Sequence, residues 1–451
     1  MFKQKHFVTT ILLVSTLFMS ACNKKSDSGS TSSTPPTVYT PTKTQPTLVV
    51  LLEFNSPSFT SGDEVWQQKL FSYNDGSVNR YYYEVSGGKF GLTPVADAGN
   101  VHDGVVKIRL AHDHPNSGVN HYERAEEGIK ESIVKISTDG FDFSKYDTDG
   151  DKNISFGELT IVFVVAGAEG ATLTISQGNT IKNVGALTTY LNPTYVPTVD
   201  GVSLMVKDKG KYFIMGERHY YKDGSKDVSI DASIGVISHE LGHAVFDLPD
   251  LYDTNATDGS KNTNGIGDYG LMGSGEWTQK NSNEYSGDTP THMSAWSKIQ
   301  TGWYTPTTYD LADSKDITLY ATGTENYNII KIQVSQNEYF LLENRGDNGF
   351  DKGLRAGSKN GIFTGGLAIW DINESRIMAN PTHPNDNPSI KGVDLIEANG
   401  IKSLDDNVTT NDTPADLLFY SGYKDTYTSN SGLKITKISV VGDAMTLHIG
   451  N

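Results

Sequence analysis

Five residues constrain this chain more than any others: His239-Glu240-Leu241-Gly242-His243. On a helix, residues four apart share a face, so His239 and His243 can hold one metal ion between them. Glu240 is the next residue round the helix. Its carboxylate therefore falls beside the metal's open position, where it can take a proton from water. Upstream, Asp231 and Ser233 are candidate N-caps, and Ile234, Val236 and Ile237 bury the helix as the floor of a cleft. A third ligand must come from downstream. Asp250 is the preferred candidate and Asp247 the competitor. Asp is among the few non-glycine residues that tolerate a left-handed conformation, so Asp247 can end the helix, and Pro249 cannot continue one.

Further on, Gly270-Leu271-Met272-Gly273-Ser274-Gly275 places a Met in a glycine-flanked turn. With the histidine pair, the run Leu248-Pro249-Asp250-Leu251-Tyr252-Asp253 and this turn, the chain resembles the immune inhibitor A-like family of secreted metzincin zinc peptidases. Tyr82 to Phe90, Thr289 to Lys298 and Glu338 to Arg345 carry the same likeness, which spans about residues 47 to 450. The resemblance implies a Met-turn at Met272 beneath the metal. In the related pattern, His-Glu-x-x-His-x-x-Gly-x-x-His/Asp, a glycine breaks the helix and the last residue returns to the metal. Here Phe246 occupies the glycine place, so the break and the ligand each move by one, to Asp247 and Asp250. His292 and Tyr252 are candidate donors to the transition state.

A second motif is Asp147-Thr-Asp149-Gly-Asp151-Lys152-Asn153-Ile154-Ser-Phe-Gly-Glu158. It matches an EF-hand calcium loop over 147–158, with Lys152 where the usual glycine stands. Three Asp and a closing Glu repel one another without a cation. At least one structural calcium is expected, on Asp147, Asp149, Asp151, Asn153 and Glu158.

The one cysteine, Cys22, ends an apolar run that follows Lys3 and Lys5, with Ser20-Ala21 before it. Residues 1–22 read as a lipoprotein signal peptide with Cys22 as the lipidated residue. The apolar run is short of the ~20 residues that span a bilayer. Residues 23–46 are a Ser/Thr/Pro tether without the apolar content to fold. This places the protein in the bacterial cell envelope, at the outer membrane or cell surface more than the cytoplasmic membrane. A net charge of −17 argues against nucleic acid as a partner.

The remaining pattern is α+β. Residues 47–305 read as a zincin/metzincin protease domain, opening with a buried strand over Thr47–Phe54 and holding an amphipathic helix over His121–Ile136. Residues 306–451 read as a β-sandwich accessory domain of short strands between Gly, Asn and Asp turns. The function expected is a membrane-anchored zinc endopeptidase acting on proteins or peptides. The alternatives are a non-catalytic protein- or carbohydrate-binding lipoprotein on a degenerate peptidase scaffold and a calcium-dependent adhesin. Oligomeric state and cleavage specificity are not written in the sequence.

Overall fold

Strand β1 spans Lys43–Glu53 and is buried without a break from Thr47 onward, as its unbroken apolar run requires. The computed structural model describes residues 39–96, 98, 103–116, 121–178, 180–223, 226–254, 263–406 and 414–450. Residues 1–38, with the signal segment and Cys22, lie outside these. The tether boundary at residue 46 needs correction. Lys43 to Pro46 already pair in parallel with Phe90 to Thr93, and Tyr39 stacks on Tyr73 at 5.1 Å between ring centroids. Backbone pairing and ring contacts thus order a stretch whose side chains alone read as linker.

The elements of this half that build and face the main sheet are α1 (Asp63–Phe71), α2 (Val78–Val85), β2 (Phe90–Pro94), β3 (Val105–Arg109), α3 (His121–Thr138), β4 (Thr160–Glu169), β5 (Asn183–Val184), β6 (Leu187–Thr189), β7 (Tyr212–Asp223), β8 (Lys226–Asp231) and α4 (Ile234–Phe246). The main sheet runs β8-β7-β4-β1-β2, with β3 on β1, β5 on β4 and β6 on β7. β1 to β4 and β7 pair in parallel, whereas β8 and β6 run antiparallel to β7. Successive side chains of a strand point to opposite faces, and the central strands sort their residues accordingly. Leu51, Val164, Phe213 and Met215 face the core that holds α4. Val50, Phe163, Val165 and Ile214 face the core that holds Ile129 and Ile133 of α3.

Beyond residue 305 the chain forms two further sheets, one of five strands and one of four. Ile317, Leu319, Ile332, Phe340, Leu342, Ile369, Ile435 and Leu447 share a core that draws on both. Leu341, Trp370 and Ile372 of the five-stranded sheet point the other way and join the core of Ile237 and Leu241 on α4. The segments on either side of residue 305 are therefore packed into one core. A buried ionic network ties them: Lys298 pairs with Glu343 at 3.3 Å, and Arg345 binds Asp351 and donates to the Tyr269 carbonyl. The whole is a mixed fold of several sheets and few helices. Among the described residues no helix is long and apolar enough to cross a membrane.

Candidate metal centre

Helix α4 is buried along nearly its whole length, with Ser233 as its N-cap. It ends at Asp247, which takes the left-handed conformation at φ 53°. The Asp247 N–H bonds back to the Gly242 and His243 carbonyls, and the Leu248 N–H also reaches the Gly242 carbonyl at 3.2 Å, so the freed carbonyls of the last turn are satisfied as the chain reverses. This reversal turns Asp250 back over the helix. Its Oδ1 lies 3.1 Å from His239 Nε2 and 3.2 Å from His243 Nε2, and the two Nε2 atoms lie 3.1 Å apart.

The other nitrogens decide what this cluster fits. His239 Nδ1 donates to the Leu271 carbonyl at 2.9 Å, and His243 Nδ1 donates to the Leu248 carbonyl. A carbonyl only accepts, so each Nδ1 carries the proton and each neutral ring turns its Nε2 lone pair inward. Two lone pairs and a carboxylate oxygen then converge on one point, and a cation is what such a set accommodates. Two imidazoles and one carboxylate suit zinc. The local field agrees. Burial opposes charge on His239, yet Glu276 and Asp250 outweigh it and raise its pKa to about 10; without a metal the Nε2 lone pair therefore takes a proton, which a bound cation would displace. Burial likewise opposes ionisation of Asp250, and positive charge on the adjacent His239 and His243 rings holds the carboxyl well below its usual range.

Met272 is buried under the helix, and its sulfur rests against Gly242. Glu240, Tyr252, Glu276 and Glu169 line a cleft with His239, whose cavity volume is about 370 Å³. The Tyr252 ring stacks on His239 at 6.3 Å; burial and the Asp250 carboxylate raise its phenol well above the usual range. Glu240 Oε2 accepts from Thr188 Oγ1 at 2.7 Å. Burial pushes the Glu276 and Glu169 carboxyls each up to about 7.

The remaining sequence candidates fall elsewhere. Asp247 points away from the cluster to an ion pair with Lys211. His292 is not a cleft residue: it is buried against Glu84 of α2, with Nε2 3.1 Å from Glu84 Oε1. In the 147–158 loop, Asp147, Asp149 and Asp151 bring carboxylate oxygens within 4.8 Å of one another. Asp147 Oδ1 is buried with no hydrogen-bond partner, which fits a cation. Glu158 is not in that group, because its oxygens accept from Thr148, Asp149 and Ser155. Asn153 donates to Asp151, and Lys209 pairs with Asp151 at 2.7 Å. Lys152, at the usual glycine place, adopts φ 65°.

Thr188, Glu169 and Glu276 had no role assigned from sequence. Thr188 and Glu169 flank or lie within a Gly-, Thr- and Asn-rich stretch without periodicity, and only strand pairing brings them to the helix. Glu276 follows the Met272 turn by four residues, and that proximity was the available signal.

Residues 202–304 match the family model described as immune inhibitor A peptidase M6, catalytic domain. The match takes in the whole of α4, Asp250 and Met272. No curated protein matches the chain. Two crystal structures of wild type OgpA from Akkermansia muciniphila are each 13% identical and each cover 68% of this chain and 73% of that chain, with TM-scores of 0.28 and 0.27. A likeness that low leaves fold and function to rest on this chain's own residues.

Proposed function

We propose that this chain is a zinc-dependent endopeptidase that cleaves proteins or peptides outside the cytoplasm. The M6 catalytic-domain match makes a metallopeptidase the coarse reading. The observation that carries the finer one is the convergence of His239 Nε2, His243 Nε2 and Asp250 Oδ1 beside the Glu240 carboxylate.

A zinc ion held by those three residues would polarise the scissile carbonyl and lower a water's pKa towards ~7. Glu240 takes the proton from the attacking water and later gives it to the leaving amine. The Tyr252 phenol, kept protonated by its raised pKa, donates to the oxygen on which negative charge develops. Leu271 and Leu248 carbonyls hold the two imidazoles in their orientation throughout. Asp147, Asp149 and Asp151 would hold calcium in a structural role, and Cys22 would carry the lipid that anchors the protein to the cell envelope.

The test is hydrolysis of casein by the purified chain, with zinc counted in the same sample. Chelation should stop cleavage. Glu240→Gln should keep its zinc and lose at least ~100-fold in rate. Full turnover in that variant would remove Glu240 from the mechanism.

A further inference from the structure

We propose that Thr188 is the positioning residue for Glu240, an inference that rests on the endopeptidase reading. Thr188 lies on β6, opposite Phe213 of β7. Its hydroxyl is 2.7 Å from Glu240 Oε2 and 3.1 Å from the Glu240 carbonyl oxygen. A hydroxyl has one proton to give. The shorter contact goes to a charged acceptor, and charge-assisted bonds are the stronger ones, so the proton goes to Oε2. Among the described residues Thr188 is the one side chain that donates to this carboxylate. With Oε2 held, Oε1 is left to meet the water.

Thr188 is itself held. Its β-branched side chain has few rotamers, and β6 is pinned by pairing with β7. Two residues earlier, the Ala186 N–H donates to Glu169 Oε1 at 2.9 Å, while Glu169 Oε2 accepts from Gly216 of β7 at 3.1 Å. The buried Glu169 thus ties the 185–188 rim to β7. The chain of contacts Glu169, Ala186, Thr188, Glu240 fixes the base from the sheet side, as the Leu271 and Leu248 carbonyls fix the histidines from the other.

The test compares Thr188→Val, which keeps the shape and removes the hydroxyl, with Thr188→Ser, which keeps the hydroxyl. For Thr188→Val, kcat should fall about 10- to 100-fold, KM should move less than about twofold, and zinc content should not change. Thr188→Ser should recover most of kcat. A Thr188→Val kcat within about twofold of wild type, or equal losses in both variants, overturns the proposal. Thermal unfolding of Thr188→Val, Glu240→Ala and the double variant, each of which removes the contact, reads it without catalysis. Non-additive Tm shifts support the pairing, and additive shifts overturn it. A wild type that binds zinc yet hydrolyses nothing sinks the endopeptidase reading by itself, while the unfolding cycle still decides the pairing.

Discussion

The Met272 sulfur occupies the space that a side chain on Gly242 would need: a Cβ there would lie 2.6 Å from Sδ. Gly235 sits seven residues earlier, on the same helical face, and a Cβ on it would lie 1.8 Å from the Glu276 carbonyl oxygen. Two bare positions on α4 thus open a groove, and the segment from Gly270 to Trp277 lies in it. Leu271 in that segment supplies the carbonyl that orients His239. Packing beneath the helix and ligand orientation above it are one arrangement.

Gly242→Ala should therefore overpack this contact. The expected cost is about 1–3 kcal/mol of stability with a loss of zinc affinity. Met272→Leu, which nearly conserves volume, should cost less than ~1.5 kcal/mol. Denaturant unfolding and a zinc titration check both. A Gly242→Ala protein as stable as wild type would contradict the packing described.

Asp247 ends the helix at φ 53° and its side chain pairs with Lys211. Glycine adopts that conformation freely, and an exposed ion pair is worth ~0–1 kcal/mol. Asp247→Gly should thus lie within about 1 kcal/mol of wild type in urea unfolding. Asp247→Val should cost about 1–3 kcal/mol, because a β-branched residue is strained there. Equal stability of the two would refute the conformational account.

His114 is buried, with Nε2 bonded to the Ala166 carbonyl at 3.0 Å. Burial, aided by Lys182 and Arg124, lowers its pKa from 6.5 to about 4. Between those values the unfolded chain takes a proton that the native state refuses. Stability is therefore lost as pH falls through that window, by about 1.4 kcal/mol per unit from this group. His114→Gln keeps a donor for Ala166 and cannot titrate. Its stability should fall less steeply than that of wild type from pH 6.5 down to 4. Parallel curves would exclude His114 as the source.

If calcium binds Asp147, Asp149 and Asp151, added calcium should raise Tm by linkage, by about 2.7 kcal/mol of stability at a hundred times Kd. Asp149→Ala should abolish the increase. Because Glu158 is bound to backbone amides, Glu158→Gln should lower Tm even without calcium. No response of the wild type to calcium would retire this site.

Much of the fold was legible because it is local or periodic. The apolar run of β1, the amphipathic stripe of α3 and the spacing of His239 and His243 each announce themselves within a few residues. Asp250 was reachable because the helix break at Asp247 has a conformational signature. Contacts between segments distant in sequence gave no such signal. His292 fits either a cleft donor or a core histidine by sequence, and the partner that decides for the core, Glu84, lies 208 residues away. Glu158 completed a loop template whose backbone amides claim it instead. Thr188 reaches Glu240 only because β6 pairs with β7, and nothing in three residues of strand foretells that.

The central claim is that His239, His243 and Asp250 form the zinc site. Metal content by elemental analysis of the purified wild type, Asp250→Ala and Asp247→Ala tests it most directly. The account predicts one zinc in wild type and in Asp247→Ala, and none in Asp250→Ala. No zinc in wild type, or its loss from Asp247→Ala with retention in Asp250→Ala, would contradict it.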